Sequence, residues 1–210
     1  MSKRINAIIK YIEKDDIVLD VGCDMALLGI ELAKKEKFSY ASDLRKNIIE
    51  SAIKKVESLN LKKFIEFYVS DGLKNINNPK INTLVLAGMG AHLIINIIDE
   101  SKLKYNKIIT VSNNDHYVLR KYMTGNGYKI EKEEIIFEKD KFYNLIVFVK
   151  GKEKYSEEDL IIGVNHQNIL LLNKKNEYIV NKYKKILSNI IPEKDRKRIE
   201  RLIKIFEMKR

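Results

Sequence analysis

Short apolar runs alternate with helix-length stretches along the first 150 residues, and no other feature of the chain narrows the choice of fold so sharply. Ile17-Val18-Leu19-Asp20-Val21 reads as a buried strand, and strand-like segments recur at Phe38–Ser42, Ile65–Val69, Thr83–Ala87 and Lys107–Val111. Ile5, Ile8, Ile9 and Ile12 share one helical face ahead of the first strand, and Leu44–Asn60 and Ala91–Ser101 are long enough to be helices. Continuous apolar strands need cover on both faces, which implies a mostly parallel sheet, and right-handed crossovers make it a doubly wound α/β sandwich. After Gly127 the pattern changes to two strands, Lys129–Phe137 and Phe142–Val149, joined by the charged turn Glu138–Lys141. An antiparallel hairpin closing the sheet edge is expected there.

Past Gly151 the strands stop. The remainder reads as helix, with Ile179, Tyr183, Ile186, Leu187 and Ile190 on one stripe and Ile199, Leu202, Ile203 and Phe206 on another, separated by Pro192. Two domains are therefore expected, 1–150 and a small α-helical, coiled-coil-like one at 151–210. The formal net charge of +11 favours a polyanionic partner, and the last sixty residues hold 15 Lys and Arg against 9 Asp and Glu. Two plainer readings stand beside that one: a lysine-, isoleucine- and asparagine-rich composition can follow from A/T-rich codons, and a basic run can be a solvated helix face. A single cysteine and three scattered histidines give neither a disulfide nor a metal-ligand spacing, and no apolar run is long enough for a membrane span. Charges interrupt the first ten residues before a signal-peptide core can form. A cytoplasmic protein without metal is expected, working as a monomer.

In a doubly wound sheet the ligand binds beyond the carboxyl ends of the strands. The first strand ends Asp20-Val21-Gly22-Cys23-Asp24, where Gly22 permits a tight turn but the other glycines of a dinucleotide fingerprint are missing. Asp20 and Asp24 would repel a pyrophosphate and welcome a sulfonium and an amino group, which favours S-adenosylmethionine over a nicotinamide dinucleotide. The second strand ends at Asp43-Leu44, with the acid placed for ribose hydroxyls. The third ends Ser70-Asp71-Gly72, suited to an adenine amino group, and the fourth ends Ala87-Gly88-Met89-Gly90. Taken singly, Asp43 and Asp71 also suit helix caps and the glycines suit plain turns. One ligand stretched across the sheet requires them together.

These residues carry a resemblance to the TrmK family, bacterial methyltransferases of N1 of adenine 22 in tRNA. The likeness runs from Ser2-Lys3-Arg4-Ile5 through Asp20–Asp24 and Ser70-Asp71-Gly72-Leu73. It is most specific at Ala87-Gly88-Met89-Gly90 with Leu93-Ile94, and it resumes at Leu119-Arg120, Phe142-Tyr143 and the helical tail. It implies a Rossmann-like class I methyltransferase fold, S-adenosylmethionine as cofactor and tRNA as partner. Departures fall near the chemistry. The family's Asp-His-Ala-Tyr-Leu-Pro is here Asp24-Met25-Ala26-Leu27-Leu28-Gly29, its Gln-Pro-Asn is Ser112-Asn113-Asn114, and its last motif glycine is Ala91.

Methyl transfer to adenine N1 depends chiefly on holding an in-plane lone pair in line with the methyl group. An acceptor on the adenine 6-amino group would help by stabilising the charge that develops on the ring, and Asp24, then Asn114, are the candidates. Tyr117 or Tyr143 is placed to receive a flipped base. Arg4, Arg120, Lys194, Lys197, Arg198 and Arg201 are the expected phosphate contacts. Two other readings stay open: a methyltransferase of another RNA base or a small molecule, and a non-catalytic RNA-binding protein on the same fold.

Overall fold

The computed structural model describes residues 2–208. Helix α1 (Lys3–Lys10) is capped by Ser2, whose hydroxyl accepts the Arg4 N–H at 3.2 Å. The alternation then follows as β1 (Val18–Val21), α2 (Leu27–Ala33), β2 (Ser39–Asp43), α3 (Lys46–Ser58), β3 (Ile65–Val69), β4 (Thr83–Ala87), α4 (Ala91–Asp99), β5 (Lys107–Ser112) and α5 (His116–Gly125). A hairpin of β6 (Tyr128–Glu138) and β7 (Lys141–Lys150) ends the sheet, and α6 (Glu157–Ile162), α7 (Ile169–Leu187) and α8 (Glu193–Met208) form the tail.

The seven described strands lie in the order β3-β2-β1-β4-β5-β7-β6, with β1 to β5 parallel and β7 antiparallel to both its neighbours. Winding reverses between β1 and β4, which pair directly with Val21 opposite Leu86. The turns after these two strands therefore open side by side, at the switch point where such sheets bind ligands.

Alternation of side chains sends Leu19, Leu84, Leu86 and Ile108 to one face, under Ile94 of α4 and Leu119 and Met123 of α5. Val18, Val85, Ile109 and Val111 face the other way, under Ile8 of α1 and Leu28 and Leu32 of α2. Each such aliphatic side chain fully removed from water contributes about 1.5–3 kcal/mol, so the central strands are the firmest part of the molecule.

The tail departs from its expected form. A capping box of Ser156 and Asp159 starts α6, but the chain is non-helical before it and again over 163–168. Gly163 causes that break. Its φ is +98°, and a Cβ there would lie 2.6 Å from the Glu133 carboxylate and 2.7 Å from Arg120 Nη2. Tail and sheet share one apolar cluster, with Ile135 and Phe142 of the hairpin against Leu172, Val180, Ile203 and Phe206.

Arg120 corrects the sequence reading. It is wholly buried, donating through Nε to Glu133 Oε1 at 3.0 Å and through Nη2 to Oε2 at 2.6 Å, and it cannot reach an RNA phosphate. Its Nη1 also donates to the carbonyls of Leu160 and Ile161, while Glu133 accepts the N–H of Val164 at 3.0 Å. The pair locks α5 and β6 to the start of the tail. Such full burial is tolerated because both charges are matched and their hydrogen bonds filled.

Candidate active site

The expected cofactor residues assemble where the sheet topology puts them. After β1 the chain turns at Gly22 (φ +74°), and the N–H groups of Gly22 and Cys23 both donate to the Ser42 carbonyl at 2.8 Å, tying the first loop to β2. A Cβ on Gly22 would fall onto Met89 Cε, so this glycine is required for the loops after β1 and β4 to meet. Asp24 and Ala26 then adopt left-handed backbone at φ 48° and 53°, and Asp115 does the same after β5 at φ 50°. Non-glycine residues in that region are costly and collect at functional sites. Here they lie in the loops that follow β1 and β5.

Asp20 is 8% exposed at the end of β1, and Asp43 is 5% exposed at the end of β2. Burial, reinforced by Asp43, pushes the Asp20 carboxyl up to about 7. Asp43 goes the other way: although burial opposes it, hydrogen bonds from the Arg45 side chain and backbone, at 3.1 and 3.0 Å, hold its carboxyl below the usual range. Arg45 was not singled out from the sequence. Two carboxylates this close in a crevice fit a cationic ligand, and the open backbone at Gly88 and the exposed side chain of Leu44 fit a flat, partly apolar one. The residues present thus suit S-adenosylmethionine.

Other positions have more local roles. The Cys23 thiol is buried with Ala26 and Ile30 in the core beside α3, and burial pushes its ionisation up, so it is no nucleophile. Asp71 is exposed and pairs with Lys74 at 2.6 Å, Ser70 Oγ accepts the Asn75 N–H at 3.3 Å, and Gly72 (φ +56°) lies against Ile97. Gly88 is open, with no atom near its would-be Cβ. Its carbonyl accepts from Asn113 Nδ2 at 2.8 Å, and the Met89 carbonyl accepts the Asn113 N–H at 2.9 Å. Asn114 Oδ1 accepts the Ala91 N–H at 3.2 Å and so caps α4. Asn113, passed over in the sequence as a departure, is thus what fastens the β5 loop to the β4 loop. Asp24 is exposed.

On the rim, Arg4 donates to Glu138 at 2.9 Å and its guanidinium lies 4.6 Å from the Tyr143 ring centroid, so α1 is pinned to the hairpin beside the crevice. Lys194, Lys197, Arg198 and Arg201 are exposed on α8, Arg201 paired with Glu157 and Lys197 with Glu193. Among the described residues no group of three or more His, Cys, Asp or Glu could hold a metal ion, and no helix is long and apolar enough to cross a membrane.

A strand order of 3-2-1-4-5-7-6 with an antiparallel β7, and acidic and glycine turns at the ends of β1, β2 and β4, defines a Rossmann-like methyltransferase that uses S-adenosylmethionine. A family model described as a methyltransferase domain matches residues 1–146. A Mycoplasma genitalium protein provisionally named a tRNA methyltransferase is 30% identical over 98% of this chain and 97% of its own length. The tRNA (adenine(22)-N(1))-methyltransferase of Bacillus subtilis is 28% identical over 72% of this chain and 66% of that protein. The solved structure of M. capricolum TrmK in complex with S-adenosyl-homocysteine superimposes with a TM-score of 0.89 at 28% identity, covering 99% of this chain and 96% of that one. The chain belongs to the TrmK family of tRNA methyltransferases.

Proposed function

We propose that this protein methylates N1 of the adenine at position 22 of tRNA. The observation that carries this reading is the extent of the likeness to M. capricolum TrmK, which takes in the helical tail as well as the cofactor crevice. In the proposed reaction S-adenosylmethionine supplies an electrophilic methyl group. Asp20 and Asp43 would hold it by charge and by its ribose hydroxyls, Leu44, Asp71 and Gly72 would border its adenine, and the turns Gly22-Cys23 and Ala87-Gly88-Met89 would shape its seat. Ser70 steadies the third of these loops through Asn75.

Little acid–base work is needed at N1, so rate comes from placement. Asp24, exposed in its left-handed turn, is the residue we assign to accept from the adenine 6-amino group and stabilise charge on the ring. Asn114 would support it from the loop after β5, with one lone pair of its amide oxygen already used to cap α4. Tyr143 or Tyr117 would receive the flipped base. Arg4, Lys194, Lys197, Arg198 and Arg201 would meet phosphates, and a monomer in the cytoplasm suffices for the task.

Incubation of the protein with an unmodified tRNA transcript and labelled S-adenosylmethionine, followed by nuclease digestion and mass spectrometry, tests the reading. One 1-methyladenosine at position 22 is expected, and absence of label from every tRNA tried would overturn it.

A further inference from the structure

A cleft of about 1180 Å³ runs between the hairpin and α5 on one side and α7 and α8 on the other. Asn113, whose amide donates to the Gly88 carbonyl of the β4 loop, is one of its lining residues, so the cleft adjoins the cofactor crevice. Its walls carry Lys141 from the hairpin, Lys175 and Lys182 from α7, and Arg198 and Arg201 from α8. Among the described residues only Arg201 of these forms an ion pair, with Glu157 and more distantly Glu158. The remaining acids on the walls, Asp115 and Asp140, leave the cleft with a surplus of positive charge. Aromatic rings stand among the cations, notably Tyr117 on α5 and Tyr178, which is 59% exposed although it sits mid-helix on α7.

The floor has a second feature suited to an anion. The ten-residue helix α5 begins there, and Leu119 is its first residue whose N–H reaches a backbone acceptor, the Asp115 carbonyl at 3.1 Å. Asp115 gives the helix no side-chain cap, so the N–H groups of His116, Tyr117 and Val118, all residues that line the cleft, have no acceptor among the described residues. Lys175 faces this end from α7.

We infer that the cleft receives the sugar–phosphate backbone of an unpaired RNA stretch beside the methylated nucleotide, one phosphate resting between Lys175 and the N-terminus of α5 while a base stacks on Tyr117 or Tyr178. This inference rests on the tRNA reading and adds the place and form of the bound strand. Unpaired RNA is the fitting occupant because interleaved cations and ring faces bind a backbone and unstacked bases, whereas a duplex keeps its base faces hidden.

Lys175 provides a signature. Burial, with the like charge of Arg120 added and Glu133 opposing, brings its ammonium down to about 7. His116 on α5 and His166 beyond α6 also face it, and both are held below the usual histidine range, mainly by burial. Lys182 shares α7 with it, and the other charged groups of the cleft are Asp115, Asp140, Lys141, Glu157, Arg198 and Arg201. A phosphate beside Lys175 draws a proton onto it, so binding takes up a proton and weakens as pH rises through 7. From pH 6 to pH 8 the loss is about tenfold for one such group.

The test is fluorescence anisotropy of the full chain with a labelled, unmodified tRNA transcript at pH 6 and pH 8 over a range of salt. Wild type should bind about tenfold more weakly at pH 8. K175R should bind equally at both, and K175Q should bind weakly at both with its salt slope reduced by about one. K182Q, on an exposed position that folding tolerates, should weaken binding about threefold or more with a similar fall in slope. Binding by K175Q and K182Q with the wild-type affinity, salt slope and pH dependence would overturn the cleft assignment while leaving tRNA methylation intact. Failure of the wild type to bind or methylate any tRNA would instead remove the functional reading beneath it.

Discussion

Replacing Asp20 by asparagine should make the protein more stable at neutral pH and poorer at holding its cofactor. The carboxyl sits at about 7 in the folded chain against an ordinary 3.8, through burial first and the nearby Asp43 second. The sign follows from the raised value. Between these two limits the folded state keeps a proton that the unfolded state has released, so the Asp20 contribution to stability is fullest below pH 4 and falls as pH rises towards 7. With about 1.4 kcal/mol per pH unit, the cost reaches about 1.5 kcal/mol at pH 5 and about 4 kcal/mol at pH 8. An uncharged isostere escapes it. Urea unfolding of wild type and D20N at the two pH values should therefore show the variant gaining about 2–3 kcal/mol on going from pH 5 to pH 8. A gain under about 1 kcal/mol would refute the claim that ionisation of Asp20 is opposed by its surroundings. The same experiment has a binding arm. S-adenosylmethionine carries a sulfonium charge that S-adenosyl-homocysteine lacks, so D20N should lose more affinity for the former. Equal losses would mean that Asp20 acts by hydrogen bonding alone.

Three further outcomes follow from the geometry. R120M strands the buried Glu133 and should cost about 3–5 kcal/mol in urea unfolding, with most of it restored in R120M/E133L, because unpaired buried charge rather than loss of attraction dominates such cases. G22A should raise the Kd for S-adenosylmethionine by calorimetry and lower stability by about 1–2 kcal/mol, since Gly22 has φ +74° and its Cβ would displace Met89. D24N should lower kcat for tRNA methylation by about 10- to 100-fold and leave cofactor affinity unchanged, as expected when an acceptor facing a cationic transition state loses its negative charge; an unchanged kcat would release Asp24 from its assigned role.

Strands β3 and β4 run over Ile65–Val69 and Thr83–Ala87 as the sequence implies, because glycine, asparagine and aspartate mark their ends and apolar residues fill them. The acidic and glycine turns were legible for the same reason: a ligand crossing a parallel sheet constrains residue type at each strand end. Helices α2 and α5 were harder to see. Leu28, Gly29, Ile30, Leu32 and Ala33 are all buried, so α2 lacks the polar face that advertises a helix. Arg120 was misplaced because its neighbours match a motif, while its partner Glu133 lies in a different strand and neither residue's type reveals that they meet. Lys175 could not be told from the other lysines of α7, since its character comes from burial and from Arg120. Asn113 drew notice only as a missing proline, and its bond to Gly88 belongs to the fold alone.

The lock between Arg120, Glu133 and the carbonyls of α6 bears on how such a protein can be rebuilt. A catalytic sheet and a helical appendage are commonly treated as exchangeable parts. Here cutting the chain after Gly151 would remove the Leu160 and Ile161 carbonyls that Arg120 serves and bare Ile135, so the remainder would be a damaged enzyme rather than a smaller one. A transplanted tail would have to bring a glycine at the position of Gly163 and carbonyls in the right place, or be rejected by a guanidinium with nowhere to go. A charged seam makes the sheet and the tail one unit of stability.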